Sequence, residues 1–218
     1  MNRLFPVAAL LIALAGCGST PSVHYTLTPP ANAMADQTAQ TGSQASTSQT
    51  IQRAIEAKSV KPYAITRVTV PAESDQTAIV VRQEDGRMLV LEFDRWVGTL
   101  SSHLLSAISV DMTSQLGMPP VQNLGTASLD KSVSRIQLDV QRFDMVPGRQ
   151  VSLSAVWRIQ YASPALTLIC HAEMHQSVDP GVSSMVLGQQ KNIRRLSELM
   201  SQTLVSRAAV ANTKCSSL

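Results

Sequence analysis

The sequence lacks any block of like charge. Its 18 Lys and Arg residues are interspersed with 15 Asp and Glu, for a formal net charge of +3. Without a basic stripe to neutralise a row of phosphates, nucleic acid is not an expected partner. The chain also lacks the short motifs that position phosphates, dinucleotides, a serine nucleophile or a catalytic zinc: G-x-x-x-x-G-K-[ST], G-x-G-x-x-G, G-x-S-x-G and H-E-x-x-H are all missing. No serine has a nearby His and Asp that the sequence would nominate as a triad, so no catalytic residue is assigned and the expected class is non-enzymatic. Cysteine is scarce. Apart from Cys17 there are only Cys170 and Cys215, which cannot make a four-ligand zinc site. They read either as a disulfide in an oxidising compartment or as a buried thiol and a loose one near the C-terminus.

What is present begins at the N-terminus. Between Leu4 and Gly16 there is no charge, and Arg3 precedes the run, which gives the positive and apolar regions of an export signal. As a helix the stretch covers only about 20 Å against the ~30 Å of a bilayer core, too short for a comfortable span. Leu14, Ala15, Gly16 and Cys17 resemble the bacterial lipobox, in which small residues fit the signal peptidase and the cysteine thiol is acylated before cleavage. Residues 1–16 are then the signal peptide and Cys17 the lipid anchor; two or three acyl chains hold a protein on a membrane, where one holds it only marginally. Position 18 is Gly rather than Asp, which by resemblance to sorted Gram-negative lipoproteins lacks the usual inner-membrane retention signal and directs the expectation to the periplasmic face of the outer membrane.

Residues 17–62 follow as anchor and tether. From about Thr28 to Ser59 the composition is Ala, Gln, Ser and Thr without a sustained apolar period, which cannot offset the entropy of ordering. A flexible chain of roughly 30 residues has an r.m.s. span on the order of 30 Å. Within this region "VHYTL", residues 23–27, is β-prone and reads as a short strand that docks on the domain, or as part of the tether.

Residues 63–212 carry the regular patterns of one domain, with 213–218 as a C-terminal tail. Strands are expected at Ile65–Val70, Ala78–Arg82 and Met88–Phe93, the last two joined by a hairpin at Asp85-Gly86. A helix is expected from Asp94, as N-cap, to Leu116, stopped by Gly117 and Pro119. Strands Arg135–Met145, Val151–Tyr161 and Leu166–Val178 follow, then a helix over Ser184–Val210. Ile136, Leu138 and Val140 share a phase that Phe143 and Met145 break, which places a β-bulge near Gln141 or Arg142. In Val151–Tyr161 the odd residues are mostly apolar and the even ones largely polar, so one face should lie on a core and the other largely in water. The order predicts an α+β fold, an antiparallel sheet with two long helices packed on one face.

Two groups of residues remain as candidate sites. "HAEMH" puts His171, Glu173 and His175 on one strand face. At ~3.3 Å per residue the two histidines are about 13 Å apart, too far to hold one metal through bonds near 2 Å. A metal enzyme would need further ligands from elsewhere, and the plainer reading is a solvated face with no metal site. On the first helix, projection at 100° per residue puts Trp96, Val97, Leu100, Leu104, Ala107, Ile108 and Met112 on an apolar arc, and Thr99, Ser102, Ser106, Ser109 and Thr113 opposite, with His103 at the border. Solvated helix faces usually carry Lys and Glu. An uncharged hydroxyl seam reads as a contact for a partner or a second copy, or else as plain polar surface in a Ser-rich chain.

Taken in order, the lipobox, "HYTL", "AITRVTVPAESDQTAIVVR", "LEFDRWVGTLSSHLL", "IQLDVQRFDMVPGRQVSLSAVWRI" and the C-terminal helix resemble the PqiC/YmbA type of lipoprotein, the auxiliary lipoprotein component of ABC-type transport systems associated with MCE proteins. Trp96, Phe143 and Trp157 carry the most specific parts of that resemblance. It implies a non-catalytic protein without a cofactor, anchored in the outer membrane. The implied role is to dock the periplasmic end of an MCE lipid-transport assembly, with an inner-membrane permease and ATPase as indirect partners and self-association into a ring. A structural envelope lipoprotein, or an activator of a periplasmic enzyme, is the alternative from another class.

Overall fold

A computed structural model describes residues 21–28, 60–121 and 130–217. Among them, eight strands and two helices follow in the order β1 (Val23–Tyr25), β2 (Tyr63–Thr69), β3 (Ala78–Arg82), β4 (Met88–Trp96), α1 (Leu100–Leu116), β5 (Ser134–Val146), β6 (Gln150–Tyr161), β7 (Leu166–Ser177), α2 (Val182–Ser206) and β8 (Lys214–Ser217). The α+β class is as expected, with both helices on one side of the main sheet. The strand pairing is richer than a single antiparallel sheet. Five strands run in the order β2-β5-β6-β7-β8 and three in the order β1-β4-β3, and the β2–β5 and β1–β4 pairs are parallel.

The core side of the large sheet follows from alternation. Val151, Leu153, Ala155, Trp157 and Ile159 of β6 are fully buried, beside Ile136, Leu138 and Val140 of β5 and Leu168, Cys170 and Ala172 of β7. The bulge stands where the broken phase requires it: Val140 pairs with Ala155 and Arg142 with Ser154. Gln141 is the extra residue, and Phe143 and Met145 return to the core. Helix α2 covers this face. Trp157 Nε1 donates to Thr203 Oγ1 at 3.1 Å and the Tyr161 hydroxyl to Thr203 O at 2.6 Å, so strand and helix are joined by hydrogen bonds as well as by packing. Gly188 sits where a Cβ would come within 2.7 Å of Val151 and Val178 side chains. The absence of a side chain there sets how closely α2 approaches the sheet.

Several boundaries differ from the expectations. The first helix starts at Leu100 with Thr99 as N-cap, not at Asp94. Asp94, Arg95 and Trp96 are held in β4 by β1, and Arg95 also pairs with Ala78, so pairing on the sheet overrides a residue type well suited to capping. Trp96 therefore ends a strand; it is buried, 6.4 Å edge-on from Phe143. Val97, placed on the helix's apolar arc by projection, precedes the helix and is exposed. The second helix ends at Ser206, where Arg207 adopts a left-handed conformation (φ 56°) and its N–H caps Thr203 O. Residues 214–217, expected as part of a tail, form β8 on the edge of β7, where a disulfide joins Cys215 to Cys170. Residues 23–25 form β1, and Leu27 is 1% exposed. The signal peptide, Leu14 to Cys17, and nearly all of the tether lie outside the described residues.

Candidate functional site

Helix α1 lies against α2 and above β2 with Leu100, Leu104, Ala107, Ile108, Met112 and Leu116 buried. Its start is fixed by several bonds at once. Thr99 Oγ1 accepts from Ser102 N, Ser102 Oγ donates to Thr99 O, and the Asp75 carboxylate accepts from both Ser101 N and Ser101 Oγ at 3.0 and 3.1 Å. His103 Nε2 accepts from Gly98 N at 2.8 Å. Burial holds its pKa below the ordinary histidine range, which suits a ring that must keep a lone pair for that N–H. His103 is therefore a structural brace where strand turns into helix.

The outer side of α1 carries the residues singled out by projection. Ser109 Oγ donates to Leu105 O and Thr113 Oγ1 to Ser109 O, at 2.7 and 2.6 Å. With the hydroxyls of Ser109 and Thr113 turned back onto the helix's own carbonyls, part of the outward surface there is carbon. Between them stand Leu105 and Val110, 39% and 40% exposed. After the helix, Gly117 reverses the chain in a left-handed conformation, and Tyr63 holds the exit by donating to Met118 O and accepting from Val121 N. This brings Pro119 and Pro120 beside the helix. Ser102, Leu105, Ser106, Ser109, Val110 and Thr113 with the two prolines line a shallow groove of about 510 Å³. None of them is charged. Such a surface offers no proton donor or acceptor of useful pKa and no ligand cluster; it offers close packing to an apolar or small-residue partner. Sequence projection identified the hydroxyl seam but missed Leu105 and Val110 on the same helix, and Pro119 and Pro120, which join the face only through the reversal at Gly117.

The helix-free face of the large sheet is polar. His171 Nε2 lies 3.2 Å from Ser154 Oγ and His175 Nδ1 3.0 Å from Ser152 Oγ, with Glu173 3.4 Å from the other nitrogen of His175. Ser152 and Ser154, expected in water, are buried at 4% and 9%, because longer side chains on the neighbouring strands surround them. Arg142 extends toward Asp144 and Glu173, at 3.6 and 3.9 Å, and Asp144 receives Arg82 from β3 at 2.9 Å. Each histidine thus serves a separate serine. Among the described residues no three ligand-type side chains converge on a metal position, and no helix is long and apolar enough to cross a membrane.

The family model for the ABC-type transport auxiliary lipoprotein component matches residues 43–201. Two crystal structures share the fold. One, of an uncharacterized protein, is 15% identical with a TM-score of 0.57, over 66% of this chain and 92% of that one. The other, a Xanthomonas campestris protein of the DUF330 family, is 12% identical with a TM-score of 0.55, over 67% of this chain and 85% of that one. No curated protein matches the chain.

Proposed function

The chain belongs to the ABC-type transport auxiliary lipoprotein component family, and from that membership we propose that it is a non-catalytic docking component of an MCE-type lipid transport system. In this reading Cys17 carries the acyl chains that hold the domain at the inner leaflet of the outer membrane, and the uncharged α1 groove receives a transporter subunit or a neighbouring copy in a ring. The observation that carries it is the groove itself: an exposed helix face with Leu105 and Val110 in the open, no charge, and the hydroxyls of Ser109 and Thr113 satisfied internally. Such a face loses little hydration when a partner covers it. Energy for transport comes from the ATPase of the system, and this chain contributes position. The test is crosslinked co-purification from membranes with Cys17 intact. Recovery of an MCE-domain subunit is the expected result; recovery of a periplasmic enzyme with no transporter subunit would replace the reading with an activator role.

A further inference from the structure

The β3–β4 ribbon carries exposed apolar side chains that the α1 groove does not account for. Met88, Leu89 and Val90 are 36%, 49% and 49% exposed, Phe93 is 47% and Val23 of β1 is 48%. Successive strand residues point to opposite faces, so three consecutive exposed apolar residues leave both faces of β4 open there, whereas Val80 and Val81 of β3 are buried. β1 covers β4 only at Asp94, Arg95 and Trp96, which leaves residues 88–93 unpaired on that edge among the described residues. A soluble surface rarely keeps such a ribbon bare.

We infer that this ribbon rests in the interfacial region of the membrane that holds the lipid anchor. The inference depends on acylation at Cys17, as in the proposed function, and on the direction of the chain. β1 runs parallel to β4 with Val23 beside Asp94. Chain traced back from Val23 therefore starts in the direction from Asp94 toward Met88. From Cys17 to Val23 the chain reaches at most about 20 Å when extended. From Asp94 back to Met88 is also about 20 Å at ~3.3 Å per strand residue. An acylated Cys17 thus keeps the lipid surface within reach of Met88, Leu89, Val90 and Phe93, and the long segment from Thr28 to Ser59 does nothing to relax this limit, because it follows β1 instead of preceding it.

Charge at the ribbon's end is consistent with a neutral lipid surface. Arg87 pairs with Asp85 at 2.6 Å and Arg149 with Glu84 at 3.3 Å, so the turn presents neutralised pairs with apolar residues behind them. Glu92, exposed on the same strand, keeps its carboxylate in headgroup water, so the contact gains nothing from anionic lipid.

The test uses the full acylated chain in phosphatidylethanolamine–phosphatidylcholine vesicles, with acylation of Cys17 verified by mass spectrometry on the same sample. Single cysteines are introduced as Leu89→Cys, Ser106→Cys and Arg158→Cys and labelled with an environment-sensitive fluorophore; Cys170 and Cys215 are occupied by their disulfide. With a quencher attached to the lipid chains, emission from position 89 should fall at least about two-fold while positions 106 and 158 change little, as for side chains at the headgroup boundary. Equal, weak quenching at all three sites in acylated protein overturns the inference and leaves the anchor intact. Shielding of position 89 that grows with protein concentration in lipid-free detergent overturns it in favour of a second copy on this edge. An unacylated Cys17 removes the anchor, and with it both the reach argument and this inference.

Discussion

Asp111 gives the sharpest test of the packing between the two helices. It is 5% exposed on α1, and its carboxyl pKa is raised from 3.8 to about 6. Burial is the main cause; attraction to Arg194 and a hydrogen bond with Ser197 pull it down, and Glu198 pushes it up. A folded-state pKa above the unfolded one means the native protein binds the proton more tightly. Stability from this group is therefore greatest below pH 4 and is lost as pH rises through 6. A shift of about two units corresponds to about 3 kcal/mol of penalty on the charged form at neutral pH. Asp111→Asn keeps the shape and removes the charge. Urea unfolding followed by tryptophan fluorescence should find the variant about 2–3 kcal/mol more stable than the parent at pH 7.5, with the gap closing by pH 4. A gap that does not change with pH, or a variant less stable at pH 7.5, would show that Arg194 more than compensates the buried charge and that burial does not dominate at Asp111.

Three further changes probe the scaffold. Gly188→Ala should destabilise by about 1–3 kcal/mol despite alanine's better helix propensity, because its Cβ meets two valine side chains at 2.7 Å; a gain in thermal stability would mean that α2 can retreat from the sheet. Thr203→Val leaves the buried Trp157 N–H without its partner and should cost about 1–3 kcal/mol with a shift in tryptophan emission. Replacing Cys170 and Cys215 together by serine removes a link across a separation of 45 residues. The chain-entropy model puts its loss at about 4 kcal/mol, and hydrogen exchange at residues 214–217 should rise first.

Much of this fold is legible where strands are long and one-sided. The inward phase of β6, the phase break at Gln141 and the hairpin at Gly86 follow from period-two patterning and turn chemistry and stand in the structure; the outward phase of β6 holds only in part, because Ser152 and Ser154 are buried. The edge strand at the C-terminus is not legible. β8 is "KCSS", with no apolar period; it is a strand because β7 offers an open edge and Cys170 a covalent partner. The start of α1 misleads for the same reason. Asp94 is a good cap in isolation, but its backbone is committed to β1. At the candidate groove, helical projection finds Ser102, Ser106, Ser109 and Thr113 because they share one face. It cannot find Pro119 and Pro120, which reach that face only after the chain reverses at Gly117.

The most direct measurement of the docking role places a photo-crosslinking amino acid at Ser106, in the α1 groove, and a second at Arg158, on the opposite face of the large sheet, in the lipidated chain within living cells. Docking through the α1 groove gives adducts at position 106, to an MCE-domain subunit or to a second copy of this chain, and none at position 158. Adducts at 158 with none at 106 would contradict it.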